Sequence, residues 1–296
     1  MNLNFSDEQN LLRDSVSRFC TSDYDFETRM KSVNSDSGFS KEHWKLFADL
    51  GWLAVPFDEE LGGLGGDVLD LSILFEEFGK SIVVEPYLAN VVLAGGVLKR
   101  SGFDKKDEYL SSIISGEKQF SLANYEPEKG YNLENIETVL DDKGLLNGSK
   151  STVLNAPNAD YFIVFSKKGG DFCFSLVSKD AAGLNLKSYK TYDGFVSGEL
   201  TFENCKPEAI IQEKDALNNL EEVMKDAIVC ISAEAVGAME KCYRLTIEYT
   251  QQREQFGSPL LSLIHISEPT RRRGIAFAGV CLKKKRGGGG GGGGGG

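Results

Sequence analysis

The sequence predicts an α+β fold in which helices come first, short strands follow and a long helix comes last. Residues 6–115 carry apolar side chains at helical spacing, and residues 119–212 shift towards the two-residue period of strands. Residues 218–252 then return to helical spacing. A chain of 296 residues is long enough for one large or two small domains with a substantial core.

The end of the chain does not share these patterns. Residues 261–296 read LSLIHISEPTRRRGIAFAGVCLKKKR followed by ten glycines. When back-translated, residues 261–271 resemble a sequencing-library adapter read as coding DNA, and the glycines fit a run of G bases. A flexible linker would account for the glycines but not for the adapter-like peptide. We therefore predict that residues 261–296 are an artefactual tail, and that the natural reading frame is cut near residue 260.

Composition narrows the classes of function. The chain has a formal net charge of −11, and seven of its basic residues but only one acidic residue lie in the tail, so the rest is more acidic still. An acidic body argues against a nucleic-acid partner. We expect no metal site, because His43 is the only histidine before the tail, and no membrane span or signal segment. The five cysteines before the tail form no CxxC motif, which predicts buried free thiols and a cytoplasmic location.

The first part of the chain contains several helix starts and ends. Ser6 with Gln9 forms a predicted capping box, a second helix begins near Ser40, and Asp67 caps a third that we expect to end at Gly79. Further helices are predicted over residues 89–100 and 105–115. The side chains expected to point inward are Leu11, Leu12, Val16, Phe19, Trp44, Phe47, Leu50, Leu71, Leu74, Phe75 and Phe78.

Residues 51–66 predict an irregular loop with closely packed backbone, because four of the five residues 62–66 are glycine. A loop that binds phosphate would need a lysine and a preceding strand, and both are missing. Later in the chain, residues 142–144 and 147–148 predict turns between strands. The predicted strands are 120–124, 138–140, 151–154, 161–165, 172–177 and 199–202, which favour a small sandwich or barrel.

The last helix is predicted to bury one face and to end before Arg253. Gly257 can adopt a left-handed cap, and Pro259 stops the helix from continuing. Arg253 has two interpretations. Its guanidinium binds a phosphate and stacks on a flat ligand, or its positive charge interacts favourably with the negative C-terminal end of the helix dipole. The predicted buried face comprises Ile228, Ile231, Ala235, Met239 and Cys242.

Four segments in order resemble the acyl-CoA dehydrogenase family: FSDEQNLLRDSVSRF, LGWLAVPFDEELGGLGG, EEFGKSIVVEPYLA and REQFG. The resemblance implies an N-terminal helical domain (1–116), a middle β-domain (117–213) and the start of a C-terminal helical bundle (214–260). It also implies FAD-dependent α,β-dehydrogenation of an acyl-CoA thioester. The implied partners are the acyl-CoA substrate, an electron-transfer flavoprotein or similar acceptor, and further subunits of a homo- or hetero-oligomer.

The resemblance also implies two groups of flavin contacts. REQFG matches the family pattern R-x-x-F-G, whose Arg is expected to contact the FAD pyrophosphate of the partner subunit and whose Phe is expected to pack near the cofactor. Residues 122–126 and 151–154 lie where family members touch the flavin ring, although both depart from the common pattern. The family's T-E-P-G-x-G-S-D loop is YEPEKGYN here, and Thr152 replaces an aromatic residue. The candidate cofactor-binding residues are Leu122, Asn124, Thr152, Leu154, Arg253, Gln255 and Phe256.

The catalytic base expected from the resemblance is missing from residues 1–260. Most of the family places this glutamate in the later part of the bundle, and a minority place it at the position of Ala227. Asp226 is one residue away, which turns it about 100° around the helix, so a solvated acid is its simpler interpretation. Two alternatives stay open: the base-lacking subunit of a heteromeric acyl-CoA dehydrogenase, and a flavin monooxygenase of the same fold.

Overall fold

The computed structural model describes residues 5–212 and 214–263. The chain divides into two compact units, Met1–Ala238 and Met239–Gly296. Most of the predicted artefactual tail, residues 264–296, lies outside the described residues. No helix in the described ranges is long and apolar enough to cross a membrane.

The first unit begins with helices whose starts follow the predicted caps. Ser6 and Gln9 form a reciprocal capping box, the Ser40 side chain accepts the backbone N–H of His43, and Asp67 accepts two backbone N–H groups. The helix from Phe26 to Asn34 was not predicted, because its only buried residue is a serine and it has no apolar stripe. The helices are α1 (Asp7–Ser22), α2 (Phe26–Asn34), α3 (Lys41–Asp49), α4 (Val68–Ser81), a π-helical stretch (Leu88–Gly95) running into α5 (Gly96–Arg100), and α6 (Lys106–Ile114).

Aromatic side chains form the centre of this helical part. The rings of Phe47 and Trp52 lie 4.8 Å apart, and Phe19 and Phe78 each pack on Phe47 at 5.3 and 5.4 Å. Aromatic rings bury large apolar areas and gain further stability from offset and edge-to-face contacts. The predicted inward positions are therefore mostly confirmed on α1, α3 and α4.

Two residues that were predicted to point inward, Leu11 and Leu50, are exposed instead. Leu11 is 69% exposed, because the buried face of α1 is set by Val16, Phe19 and Cys20 and Leu11 lies on the other side of the helix. Leu50 is also exposed, since it follows the last residue of α3 as its C-cap.

The predicted end of α4 at Gly79 is also wrong, and the reason is a close helix crossing. Helix α4 continues to Ser81, and Ile82 adopts the left-handed cap with φ 52°. A Cβ on Gly79 would lie 2.0 Å from the carbonyl oxygen of Glu234, and one on Gly237 would lie 1.8 Å from the carbonyl oxygen of Glu76. Both glycines therefore let two helix backbones touch, which no larger residue permits.

The loop over residues 51–66 is as compact as predicted. It contains two short 3₁₀ turns, Trp52–Ala54 and Glu59–Leu61. Its glycine-rich end folds back onto the preceding residues, with backbone hydrogen bonds from Gly65 to Phe57 at 2.8 Å and from Gly66 to Val55 at 2.8 Å.

A mixed β-sheet follows the helices in sequence. Its strand order is β6-β7-β3-β2-β4-β5-β8, and β1 pairs parallel to β4. The six predicted strands are present, whereas β6 and β8 were not predicted, since β6 is mostly exposed and β8 has four residues. The strands are β1 (Phe120–Ala123), β2 (Val139–Leu140), β3 (Leu146–Leu154), β4 (Tyr161–Lys168), β5 (Asp171–Ser178), β6 (Leu184–Lys190), β7 (Val196–Cys205) and β8 (Ala209–Gln212).

One of the two predicted turns is wrong. Residues 142–144 connect β2 to β3 as expected, but Asn147 and Gly148 lie inside β3. A Cβ on Gly148 would approach the Cα of Thr138 to 2.7 Å, so this glycine serves a close approach within the sheet, where the register of β3 and β7 shifts.

The long helix α7 (Ala216–Gln252) is confirmed, but its predicted buried face is wrong. Leu220, Val223 and Ala227 are buried, whereas Ile228 is 61% exposed and Ile231 is also exposed. The buried series is turned by one residue, about 100°, from the predicted series. The tertiary contacts of the first unit therefore select a neighbouring stripe, and the predicted stripe stays exposed. The buried residues of α7 are Ala216, Asn219, Leu220, Val223, Ala227, Cys230 and Gly237.

Candidate functional site

A cavity of about 440 Å³ lies within the first unit. Its wall comes from the loop before α3, from α4 and the segment after it, from the end of β3, from the turn between β6 and β7, and from α7. Most of the lining is apolar and includes Phe39, Phe75, Phe78 and Val83. A concave apolar cavity with a few polar groups is the usual form of a small-molecule site.

Two candidate cofactor residues, Thr152 and Leu154, line this cavity. Thr152 lies within a register shift between β3 and β7, and Leu154 follows it. Thr152 adopts a left-handed backbone conformation with φ 52°. Asn155, which follows Leu154, also adopts a left-handed backbone conformation. Its N–H donates to the carbonyl of Val196 at 2.8 Å. Such conformations persist only where the surrounding structure holds them, and they cluster at ligand sites.

The other two β-domain candidates, Leu122 and Asn124, do not line the cavity. Leu122 belongs to the buried core on β1, and Asn124 is buried just after that strand. The two predicted segments are nevertheless neighbours, because the N–H of Ser151 donates to the carbonyl of Tyr125 at 2.9 Å. The Asn124 Nδ2 has no hydrogen-bond partner among the described residues. A buried donor without a partner is rare and calls for an explanation such as a bound ligand.

A buried ion pair ties these two segments together. The Lys150 Nζ donates to the Glu126 Oε1 at 2.8 Å, and Glu126 also accepts the N–H groups of Glu137 and Thr138 at 2.6 and 2.9 Å. Burial lowers the pKa of Lys150 to about 8, and Glu126 opposes that shift. Burial raises the pKa of Glu126, but the hydrogen bonds from Lys150 and Thr138 outweigh it, so the net shift is downward.

The structure also brings four polar residues to the cavity wall that the sequence did not single out. Ser197 is fully buried, and its Oγ has no hydrogen-bond partner among the described residues. Glu85, Asp193 and Glu234 contribute three carboxylates. Glu85 lies in the segment EEFGKSIVVEPYLA, but no local motif marks the other three. The four residues come from three separate parts of the chain and meet only in the folded structure.

The remaining candidates lie in the second unit, just after α7. Arg253 follows the helix, and residues 254–259 form a small hairpin of β9 (Glu254–Gln255) and β10 (Ser258–Pro259). Phe256 and Gly257 form its turn with φ 55° and 74°, so the prediction that Gly257 caps the helix is wrong. This hairpin needs positive φ at both central residues.

All three candidates in this hairpin region are exposed. Phe256 is 88% exposed, and Arg253 and Gln255 are exposed as well. The Arg253 guanidinium makes no hydrogen bond or ion pair with a residue in the described ranges, whereas its carbonyl accepts the N–H of Leu260 at 2.8 Å. An exposed, unpaired guanidinium is available to an anionic ligand.

Sequence models of one family match the chain in three successive segments. The N-terminal domain of acyl-CoA dehydrogenases matches residues 6–117, the middle domain matches residues 121–205, and the C-terminal domain matches residues 220–270. The chain belongs to the acyl-CoA dehydrogenase family. Its fold is the family's α+β fold, with an N-terminal helical domain, a middle β-domain and the start of a C-terminal helical bundle.

Two curated acyl-CoA dehydrogenase relatives illustrate the range of this family. The acryloyl-CoA reductase (NADH) of Anaerotignum propionicum is 25% identical over 281 residues, which cover 89% of this chain and 71% of the relative. The L-prolyl-[peptidyl-carrier protein] dehydrogenase of Serratia sp. (strain ATCC 39006) is 28% identical over 291 residues, which cover 88% of this chain and 72% of the relative.

Solved structures agree with this assignment to the acyl-CoA dehydrogenase family. The structure described as "PigA with FAD and proline" is 26% identical, has a TM-score of 0.81, and covers 92% of this chain and 76% of that one. A glutaryl-CoA dehydrogenase from Mycobacterium smegmatis in complex with FADH2 has the same TM-score at 22% identity, and covers 91% of this chain and 72% of that one; it supports the fold alone.

For an acyl-CoA dehydrogenase, the position of a catalytic carboxylate matters. Asp226 does not line the cavity that holds Thr152 and Leu154. It lies beside a second cavity, where Arg100 donates a hydrogen bond to its carboxylate. This ion pair supports the interpretation of Asp226 as a structural acid. Ala227, where a minority of the family carries the base, is buried.

Proposed function

We propose that this chain is part of a flavin-dependent enzyme that removes hydrogen from the α and β carbons of an acyl-CoA thioester. The observation that carries the proposal is the apolar cavity with Thr152 and Leu154 on its wall. Membership in the family supports the same reaction class. An apolar cavity of about 440 Å³ suits the acyl group, since removing methylenes from water is favourable.

The residues present fit FAD as the cofactor. The flavin ring carries acceptors on its polar edge, and the β-domain offers the unpartnered Asn124 Nδ2 and Ser197 Oγ. The exposed guanidinium of Arg253 suits the pyrophosphate of a flavin held by a partner subunit, because it can donate to two phosphate oxygens at once. When bound, FAD would accept the hydride that leaves the β-carbon.

The chain's own residues then have three tasks in the proposed reaction. The end of β3 with its left-handed residues Thr152 and Asn155 shapes one wall of the cavity. The apolar side chains of α4 exclude water, which strengthens every electrostatic interaction inside. The Glu126–Lys150 pair holds the two flavin-facing segments in register. We place the catalytic base outside residues 1–260.

Flavin binding tests the proposal directly. The purified protein should carry FAD, identified by its visible spectrum and by chromatography of the released cofactor. Arg253→Ala should weaken FAD binding about 10- to 100-fold, the usual effect of losing hydrogen bonds from a charged group. The matched control is Arg244→Ala, since Arg244 is also exposed and, among the described residues, its ion pair is with Glu240 on its own helix. Equal flavin content in both variants would show that Arg253 does not contribute to flavin binding.

The reaction is tested by acyl-CoA-dependent reduction of an artificial electron acceptor, with an electron-transfer flavoprotein as the proposed natural acceptor. We expect a protein that retains the complete bundle to reduce the acceptor. A protein that neither binds FAD nor reduces the acceptor, alone or with a partner subunit, would contradict the proposal.

A base-lacking subunit of a heteromeric acyl-CoA dehydrogenase is the second candidate. The observation that favours it is the altered loop at residues 125–132, which replaces the family's T-E-P-G-x-G-S-D pattern. Such a chain would bind no acyl-CoA alone and would restore activity when mixed with its partner subunit. Co-expression with the genes next to its own, followed by a pull-down and the acceptor assay, separates the two candidates.

A further inference from the structure

The cavity that we propose for the acyl group carries an unusual excess of negative charge. Three acidic residues line it: Glu85, Asp193 and Glu234. The carboxylate of Asp193 also accepts the Thr191 hydroxyl and the N–H of Phe195 within its own turn. In the described part of the chain, no lysine, arginine or histidine belongs to its lining. A site of one sign, with apolar walls around it, concentrates its electric field and attracts ligands of the opposite charge.

Glu85 is the most buried of the three carboxylates. The residue is 3% exposed and lies in the segment between α4 and the π-helical stretch. Its Oε1 lies 3.2 Å from the Nδ1 of His43 and accepts the N–H of Ser40 at 3.4 Å. Its Oε2 has no hydrogen-bond partner among the residues described. Leaving a buried charged oxygen unpaired is costly, so a ligand that donates to it gains free energy.

Glu234 brings a second carboxylate to the same cavity from α7. Its backbone position is fixed, because its carbonyl oxygen packs against Gly79 at the crossing of α4 and α7. Burial raises the pKa of Glu234, and the negative charge of Asp193 raises it further. A cation bound beside the two carboxylates would oppose both effects, because an opposite charge favours the ionised form.

Arg29, the basic residue beside Asp193, makes no ion pair with these carboxylates. Arg29 donates to the backbone carbonyls of Ile82 and Asp193, each at 2.8 Å, and not to a carboxylate. Neither Asp193 nor Glu234 forms an ion pair with any residue in ranges 5–212 and 214–263. Of the three acidic residues, only Glu85 lies within 4 Å of a basic group in these ranges, the imidazole of His43.

We propose that this cavity selects acyl groups that carry a protonated amine on the chain, with Glu85 and Glu234 as the residues that determine this specificity. The inference rests on the proposed function, since it takes the cavity as the acyl site. The methylenes of such a substrate would lie along Phe39, Phe75 and Phe78. The ammonium would donate to the carboxylates, and in this water-poor site the attraction is stronger than in solution. A purely apolar chain would desolvate the same carboxylates without compensation, which selects against it.

The test compares matched pairs of thioesters on the purified flavin-loaded protein. Each ω-aminoacyl-CoA, beginning with 6-aminohexanoyl-CoA, is paired with the alkyl-CoA of the same number of heavy atoms, here heptanoyl-CoA. Calorimetry gives the dissociation constants without any need for turnover. At neutral pH we expect the aminoacyl thioester of the best-fitting length to bind about tenfold more tightly or better, the scale of a hydrogen-bonded charge pair.

Two variants and a control identify the residues. Glu85→Gln and Glu234→Gln keep size and hydrogen-bonding capacity but remove one charge each, and each should reduce the preference by most of that factor. Glu221→Gln makes the same change at an exposed position of α7 and should leave the preference intact. Melting temperatures of all variants report whether they fold. The comparison of aminoacyl and alkyl thioesters on the unmodified protein remains valid even if Glu85→Gln does not fold.

Three outcomes are distinguishable. A preference for the aminoacyl thioesters that both site variants lose supports the inference. Equal or tighter binding of the alkyl thioesters overturns the inference and leaves the proposed function standing. Binding of no thioester at all overturns the proposed function, and the inference fails with it.

Discussion

At the scale of single residues, the buried pair of Lys150 and Glu126 is the most consequential feature of the β-domain. Lys150 is fully buried, and its ammonium meets the carboxylate of Glu126 at 2.8 Å. Backbone N–H groups from residues 137 and 138 satisfy the same carboxylate. This pair joins the segment after β1 to β3, which carries Thr152 and Leu154. The sequence analysis placed Glu126 in one predicted flavin-contact segment and Lys150 just before the other, but it did not predict that the two side chains meet.

Replacing one partner of this pair should lower the free energy of unfolding far more than replacing both. Lys150→Met leaves a buried carboxylate without its cation, and we expect a loss of about 3–5 kcal/mol in the free energy of unfolding. The double variant Lys150→Met/Glu126→Leu should recover most of that loss. Denaturant unfolding measures both. Lys187→Met, at an exposed pair with Glu199, is the control and should change stability by less than about 0.5 kcal/mol. A double variant no more stable than Lys150→Met would contradict this account.

The pair of Lys150 and Glu126 also predicts that the free energy of unfolding depends on pH. The pKa of Glu126 in the folded protein lies below its ordinary value of 4.5, as burial is outweighed by the hydrogen bonds from Lys150 and Thr138. The folded state therefore binds this proton less readily than the unfolded state does, so the stabilisation is present above pH 4.5 and is lost as the pH falls.

Glu126→Gln should make the unfolding free energy less sensitive to pH between about pH 6 and about pH 3, because one proton-linked contribution is gone. Denaturant titrations at each pH measure the slope. Glu203→Gln, at an exposed position of β7, provides the comparison. An unchanged slope in Glu126→Gln would show that Glu126 is not linked to acid unfolding.

At the scale of elements, the crossing of α4 and α7 positions the cavity. Gly79 and Gly237 bring the two backbones into contact, and this contact places Glu234 beside the cavity. The sequence predicted both helices but interpreted Gly79 as a helix end. A glycine in a helical pattern is compatible with a cap or with a close crossing, and only the neighbouring helix decides between them.

Gly237→Ala tests this crossing, because the sign of its effect on the free energy of unfolding depends on how closely the two helices approach. In an open helix, replacing glycine by alanine stabilises by about 1 kcal/mol. Here the new Cβ would lie 1.8 Å from the Glu76 carbonyl oxygen, so the helices must separate, and we expect a loss of about 1–3 kcal/mol. Gly102→Ala, where no atom lies within 4 Å of the new Cβ, should be close to neutral. Stabilisation by Gly237→Ala would mean that the helices do not cross so closely.

At the scale of the whole molecule, the exposed apolar stripe of α7 stands out. Ile228, Ile231 and Val236 lie on the first unit's part of the helix and are all exposed. Exposed apolar patches of this kind mark interaction surfaces or sites of aggregation. The sequence predicted Ile228 and Ile231 as buried, and the helical bundle that the family resemblance implies would supply further helices to cover them.

We expect the chain of 296 residues to self-associate at micromolar concentration. Ile228→Glu combined with Val236→Lys should shift it towards monomer, because both changes place charge on the stripe. Sedimentation velocity over a concentration series measures the effect. Leu11→Glu changes an exposed leucine on α1 and should leave self-association unchanged. A monomeric unmodified chain at every concentration would rule out the stripe as an association surface.

The sequence by itself determined the order of helices and strands, the caps at Ser6, Ser40 and Asp67, and the family. These depend on local spacing and on short motifs, which are visible within a few neighbouring residues. Only the tertiary structure decided which stripe of α7 is buried, why Gly79 is needed, and that Glu85, Asp193 and Glu234 share one cavity. Those outcomes depend on contacts between residues more than a hundred positions apart, and periodicity within one segment carries no information about its partner.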